Sequence, residues 1–141
     1  MNAQTMINLE QAAFIVAKKF PHLKRGTDYW VAEPIDETTG KQRKSAWVPV
    51  WYPTDIPQPT PFDLLAWWPE FEAEYNVMEV APVVRRQRNE LLVEADGLVQ
   101  RALDDGNADL EFALRKYRAE LRDVPGQAGF PLNVEWPQRP V

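Results

Sequence analysis

The side chains in this sequence that could act as acids, bases or metal ligands do not form a catalytic or metal-binding constellation. His22 is the only histidine, and no carboxylates surround it at metal-ligand spacing. Asp104 and Asp105 flank a predicted turn, where acidic residues serve as solvated charges at a helix end. The six glycines are scattered singly, so none builds a Gly-rich phosphate loop. We therefore expect no enzymatic activity, no cofactor and no metal site.

Composition narrows the classes of partner. The chain has 141 residues and a formal net charge of -5, and this negative charge disfavours broad binding to nucleic acid or anionic membranes. The chain has no cysteine, so it forms neither disulfides nor thiolate sites. Arg85, Arg86 and Arg88 could meet phosphate, but in an acidic protein we favour a solvated face or internal ion pairs. No apolar run approaches the roughly 20 residues of a membrane span, and the first residues lack a signal-peptide pattern. We expect a protein of the cytoplasm.

Aromatic side chains are the remaining candidates for a binding function, and six of them are tryptophans. Trp47 and Trp51 are four residues apart on a predicted strand and are expected on one face. Packing of that face against a helix is the default interpretation. Trp67 and Trp68 are neighbours on a predicted helix and point about 100° apart. Since a small lobe can hardly bury both, we expect one of them to be exposed to a partner.

A proline-rich segment with Phe130 and Trp136 follows the last predicted helix, and two interpretations of it stay open. Either both rings fold back over a helical hairpin, each contributing about 1.5–3 kcal/mol on burial, or the extended segment presents them to a partner. Arg118 and Arg122 offer a similar choice. They could pair with Asp96 across the hairpin or dock an acidic loop of a partner.

The first predicted lobe, residues 1–78, combines a helix with a small sheet. Its helix spans about residues 5–20, and strands within 27–36 and 45–52 form a hairpin. Pro34 and Pro49 lack an amide donor and are expected at sheet edges or bulges.

A proline-rich spacer leads from this hairpin into the last helix of the first lobe. We expect Thr60 to cap that helix, Pro61 to begin it and Asp63 to lie in its first turn. Pro69 should kink or split the helix, and a short break is expected over residues 77–82.

The second predicted lobe, residues 79–141, is a helical hairpin with an extended tail. Apolar residues recur at helical spacing over 84–103 and 110–121. Between these runs Gly106 suits the left-handed exit of one helix, and Asn107 suits the cap of the next. The two lobes together predict an α+β fold class.

The second lobe carries an ordered series of motifs, namely Arg88 with Leu91-Leu92 and Asp96, then Tyr117-Arg118, Leu121-Arg122-Asp123, Pro125, Phe130-Pro131 and Trp136-Pro137. This series resembles the phage tail assembly chaperone family of small bacteriophage proteins. Gly97 departs from the family pattern, in which a bulkier residue follows the aspartate.

The first lobe has shorter motifs, namely Phe20-Pro21, Gly26 with Asp28-Tyr29, and the segment PQPT at 57–60 ahead of Trp67-Trp68. These motifs are similar to the XkdW-like group, which also occurs in phage tail gene clusters. Neither resemblance implies an enzymatic activity or a cofactor.

The two resemblances imply a non-enzymatic chaperone of tail or tail-fibre assembly. It would bind a trimeric fibre or receptor-binding subunit, or another tail protein, in the host cytoplasm, with no nucleic acid, membrane or small-molecule ligand. The alternative is a structural tail or baseplate adaptor that stays in the virion. The candidate partner-binding residues are Trp47, Trp51, Trp67, Trp68, Tyr117, Arg118, Arg122, Phe130 and Trp136.

Overall fold

The computed structural model describes residues 4–141, and the chain folds as two units, Met1–Tyr75 and Asn76–Val141. The predicted α+β class is confirmed, with a helix and a two-stranded antiparallel hairpin in the first unit and a helical hairpin in the second. Within residues 4–141, no helix is long and apolar enough to cross a membrane. The elements in chain order are α1 (Leu9–Lys19), β1 (Tyr29–Ala32), β2 (Trp47–Trp51), α2 (Pro61–Tyr75), a π-helix (Asn76–Val80), α3 (Ala81–Asp104), α4 (Ala108–Arg122) and a 3₁₀ turn (Val124–Gly126).

Helix α1 begins at Leu9, so the predicted start near residue 5 is wrong. Asn8 caps the helix instead: its side chain accepts from the backbone N–H of Gln11 at 2.8 Å, and the Gln11 side chain accepts from the Asn8 N–H at 2.9 Å. This reciprocal capping box satisfies two donors that a helix start leaves unpaired. Ile7 lies before the helix, fully buried, and its carbonyl accepts from the Ala46 N–H at 2.9 Å.

The two strands pair antiparallel with a shift in register. Tyr29 pairs with Trp51 and Ala32 pairs with Trp47, so the ladder advances three residues on β1 (29 to 32) and four on β2 (51 to 47). The extra residue on β2 lies in the stretch that contains Pro49, which has no N–H to give to the ladder. The expectation that Pro49 lies at a bulge is confirmed.

The register shift places the two strand tryptophans on opposite faces of the hairpin. Directly paired residues share a face, while Tyr29 and Ala32, three apart on β1, lie on opposite faces. Trp51 therefore shares the face of Tyr29, whose side chain is buried. Trp47 shares the other face, and the prediction that the two tryptophans lie on one face is wrong.

Helix α2 starts as the sequence predicts. The Thr60 hydroxyl accepts from the Asp63 N–H at 3.1 Å, and the Asp63 carboxylate accepts from the Thr60 N–H at 2.9 Å. The helix runs through Pro69 as one element and is not split there. The break expected over residues 77–82 is instead a π-helix at Asn76–Val80.

Helices α1 and α2 pack together to form the core of the first unit. Ile15 and Leu64 are fully buried there, and the Trp68 and Tyr75 rings meet edge to face with centroids 5.4 Å apart. The ion pair between Lys18 and Glu74, at 2.5 Å, joins the two helices at the surface. The hairpin is thus backed by a helical pair on its Tyr29 face.

Helices α3 and α4 form the predicted hairpin of the second unit. Gly106 adopts a φ of 67°, a left-handed conformation that suits glycine because it has no Cβ. The Asn107 side chain accepts from the Leu110 N–H at 3.1 Å and caps α4. Both predicted turn roles are confirmed. The buried core residues between the helices are Ala95, Val99, Ala102, Leu114, Tyr117 and Leu121.

Candidate partner-binding surfaces

The residues that could do covalent chemistry are not brought together in the described part of the chain. His22 is exposed. Over residues 4–141, no group of three or more histidine or acidic side chains could hold a metal ion. The aromatic and cationic candidates for partner binding are each described within their own unit.

The tail of the second unit folds back onto its helical hairpin. The Trp136 ring is partly buried against the core cluster of Ala95, Tyr117 and Leu121. The Phe130 ring is partly buried as well, and the guanidinium carbon of Arg85 lies 5.1 Å from its centroid, a cation–π distance. Of the two interpretations of the tail, the structure shows the one in which both rings are engaged within their own unit.

Polar contacts hold the same tail in place. The Gln127 side chain donates to the Glu135 carbonyl at 2.8 Å and accepts from the Glu135 N–H at 2.9 Å. Further along, Arg139 pairs with Glu94 of α3. These contacts hold the chain on both sides of Trp136. We call the proline-rich segment from Gln127 to Arg139, which lies over the hairpin, the strap.

The α4 candidates differ in their availability. Arg118 pairs with Asp96 across the hairpin at 2.9 Å, the first of the two alternatives considered for it. Tyr117 is buried between the helices, and desolvation raises the pKa of its hydroxyl. Arg122 is exposed and makes no ion pair with any residue in 4–141. Arg122 is thus the α4 candidate that a partner reaches most readily.

Both tryptophans of α2 are at least partly buried within the first unit. Trp68 is only 3% exposed, so its ring packs the core and offers little surface. Trp67 is partly buried, with its centroid 6.2 Å from that of Phe20 and 5.0 Å from the Lys19 ammonium. The Lys19 ammonium covers one face of the ring, so only part of Trp67 is available to a partner.

Trp51 is held on the inner face of the hairpin. Its indole N–H donates to the Ile56 carbonyl at 2.8 Å. Its ring centroid lies 5.4 Å from that of Phe20 and 5.9 Å from that of Tyr29. Trp51 therefore links the sheet to the end of α1 and to the proline-rich spacer.

The opposite side of the hairpin, which we call the outer face, presents Trp30 and Trp47. Trp47 is 41% exposed and Trp30 is 50% exposed. Trp30 was missing from the sequence candidates. It is adjacent to Tyr29 on β1, so strand alternation places it opposite that buried ring, and this signal could have found it.

A groove opens beside the outer face, with a volume of about 470 Å³. We call it the basic groove. It is lined by Pro34, Arg43, Lys44, Ser45, Trp47 and Pro61.

An unequal length of the two hairpin arms produces the basic groove. Arg43 donates its N–H to the Pro34 carbonyl at 2.8 Å, and Ala32 pairs with Trp47. One arm therefore spans two residues (34 to 32) where the other spans four (43 to 47). The longer arm leaves the ladder between these pairs, where Ala46 bonds to Ile7 instead, and the gap is the groove.

The family matches agree with the division of motifs between the two halves of the chain. Residues 81–141 match the family model of the phage tail assembly chaperone protein. Residues 12–76 match the family model of the XkdW protein. Both resemblances and their placement along the chain are confirmed. No curated protein and no solved structure gives a significant match.

These matches indicate a role in bacteriophage tail assembly, which implies interaction with other tail proteins. The tail assembly chaperone family is generally non-enzymatic. The residues that match this family, 81–141, contain the α3–α4 hairpin and the strap. The motif series therefore coincides with residues that hold the second unit together. The outer face and the basic groove lie in the region matched by the other model.

Proposed function

We propose that this protein is a non-enzymatic chaperone of tail-fibre assembly. It binds a fibre or receptor-binding subunit in the host cytoplasm, keeps that subunit from aggregating and aids its trimerisation. The match of residues 81–141 to the tail assembly chaperone model supports the assembly role. The exposed tryptophans of the outer face supply the surface for the client.

The physical requirement comes from the client. A subunit of an oligomeric fibre exposes apolar surface until its neighbours arrive, and that surface must be covered in the meantime. Tryptophan is enriched among the residues that dominate binding energy at interfaces. Trp30 and Trp47 each leave close to half of their surface in solvent, although burial of a large ring is favourable by about 1.5–3 kcal/mol. The outer face is therefore a surface that gains from burial against a partner.

The candidates of the second unit take a narrower part in this proposal. Phe130 and Trp136 fasten the strap, Tyr117 packs beneath it, and Arg118 pairs with Asp96. Arg122 remains as an exposed cation that an acidic client loop could reach. We assign the second unit's aromatic residues to folding and the outer face to client binding.

The test is co-expression with a fibre subunit from the same genome. With the protein present, soluble trimer should increase several-fold relative to the subunit alone, as measured by size-exclusion chromatography and native electrophoresis. An unchanged yield of soluble trimer would refute the chaperone role.

A structural tail or baseplate adaptor would use the same surface but remain in the particle. Mass spectrometry of purified virions separates the two functions. A chaperone that is released should be absent or far below stoichiometric amounts, whereas an adaptor is present in fixed ratio to other tail proteins. Stoichiometric presence would favour the adaptor.

A further inference from the structure

We propose that the basic groove binds an extended, acidic segment of the partner polypeptide. The inference deepens the proposed function and rests on it in one respect, namely that the segment belongs to the client. It adds the chemistry by which the client is recognised: carboxylates for Arg43 and Lys44, and an extended backbone along Trp47.

The shape of the groove favours an extended chain. Pro34 and Pro61 offer apolar surface without a backbone N–H, and the partly exposed Trp47 belongs both to the lining of the groove and to the outer face. Grooves lined by aromatic residues recurrently bind extended or polyproline-type segments, because such segments lose little conformational entropy on docking. A volume of about 470 Å³ is enough for a few side chains of such a segment.

The charge of the groove favours an acidic ligand. Arg43 and Lys44 are exposed, and neither makes an ion pair with any residue that the structure describes. Two lysines of the same unit are paired, Lys18 with Glu74 at 2.5 Å and Lys19 with Glu70 at 3.2 Å. The groove therefore holds two unpaired positive charges in a protein whose net charge is -5.

Two acidic groups of the same hairpin are occupied by backbone donors. Glu33 accepts from the Leu9 N–H at 2.8 Å. Asp36 accepts from the N–H groups of Thr39 and Thr38, and these hydrogen bonds lower the pKa of its carboxyl. Both carboxylates thus serve the fold of the first unit, and neither forms an ion pair with Arg43 or Lys44. Arginine suits carboxylate because its planar fork can donate two parallel hydrogen bonds.

Binding of two short peptides tests this chemistry directly. The probes are a fluorescein-labelled peptide of alternating aspartate and proline and its counterpart with asparagine for aspartate, followed by fluorescence anisotropy. In about 0.1 M NaCl the aspartate peptide should bind about tenfold tighter, the size expected of two partly exposed ion pairs. In about 1 M NaCl, where the screening length falls from about 10 Å to about 3 Å, most of that difference should disappear.

Two charge-matched variants locate the effect. Arg43→Gln/Lys44→Gln should abolish the preference for the aspartate peptide. Arg86→Gln/Lys116→Gln makes the same change in net charge at exposed, unpaired sites of the second unit and should leave the preference intact. Equal binding of the two peptides, or an equal loss in both variants, would overturn the proposal. Equally tight binding of a single-stranded oligonucleotide of the same charge would also overturn it, because the groove would then be a general polyanion site.

Co-expression with the fibre subunit keeps the two proposals separable. If wild type raises trimer yield and Arg43→Gln/Lys44→Gln does so equally, acidic recognition is refuted while the chaperone role stands. If wild type leaves trimer yield unchanged but the aspartate peptide binds as expected, the chaperone role is refuted while the chemistry of the groove stands.

Discussion

The substitution Trp136→Ala removes the ring that anchors the strap and should lower the stability of the second unit. The partial burial of that ring limits the size of the loss. Removal of a fully buried tryptophan side chain costs about 3–5 kcal/mol. Because the Trp136 ring is only partly buried against Ala95, Tyr117 and Leu121, we expect about 2 kcal/mol. At 1.4 kcal/mol per factor of ten, this loss corresponds to roughly 30-fold faster exchange of core amides under conditions where the exchange rate follows the opening equilibrium.

Hydrogen exchange measured by mass spectrometry on peptides from α3 and α4 is the assay. Leu132→Ala serves as the control, since this tail residue is 58% exposed and its loss should change stability by less than about 0.5 kcal/mol. Trp136→Phe should recover most of the protection, because a ring still covers the cluster. Exchange in Trp136→Ala within about threefold of wild type would refute the argument that the strap closes the hairpin core.

Three further changes test the fold that supports the surfaces. Asn107→Ala removes the cap of α4 and should lower the free energy of unfolding by about 1 kcal/mol in urea titration; no change would contradict the role of the cap. Leu64→Ala should cost about 2–5 kcal/mol by the same method, because Leu64 is fully buried between helices, and a loss below about 1 kcal/mol would contradict its place in the core. Burial raises the pKa of Tyr29 above 10.0, so its hydroxyl ionises first in the unfolded chain and stability falls as pH rises above about 10. Tyr29→Phe should therefore show a smaller drop in urea midpoint between about pH 9 and pH 11 than wild type, and an equal drop would contradict the shift.

Local signals in the sequence were sufficient for the helical hairpin of the second unit. Helical periodicity predicts the two helices. Gly106 and Asn107 predict the turn, because the left-handed φ of Gly106 and the capping hydrogen bond of Asn107 depend only on local residues. The start of α2 was predictable for the same reason, since Thr60 and Asp63 hydrogen-bond to each other over three residues and Pro61 is the first residue of the helix.

The strand register was not predictable from spacing. An alternation argument assigns faces by counting residues, and one extra residue near Pro49 reverses the outcome for Trp47 relative to Trp51. Pro49 predicts a disturbed ladder at this point, because it has no N–H to donate. It does not predict how many extra residues the disturbed strand contains. The exposure of Trp30 depends on the same register.

Contacts between distant residues decided the remaining features. The strap could have served a partner or its own unit, and its placement depends on Arg139 meeting Glu94 and on Trp136 meeting a cluster formed by both helices. The basic groove likewise depends on Ala46 bonding to Ile7 rather than to β1. Neither pairing leaves a local pattern in the sequence.

The central claim is that the outer face of the first unit holds the client. The most direct measurement is the yield of soluble fibre trimer on co-expression with Trp30→Ser/Trp47→Ser, compared with the control Val93→Ser/Phe112→Ser. The control residues of the second unit are 73% and 75% exposed, so it removes comparable apolar surface away from the outer face. Circular dichroism first establishes that both variants keep the helix content of wild type. The account predicts that the outer-face variant loses most of the gain in trimer yield while the control keeps it. Equal yields from the two folded variants would contradict the account.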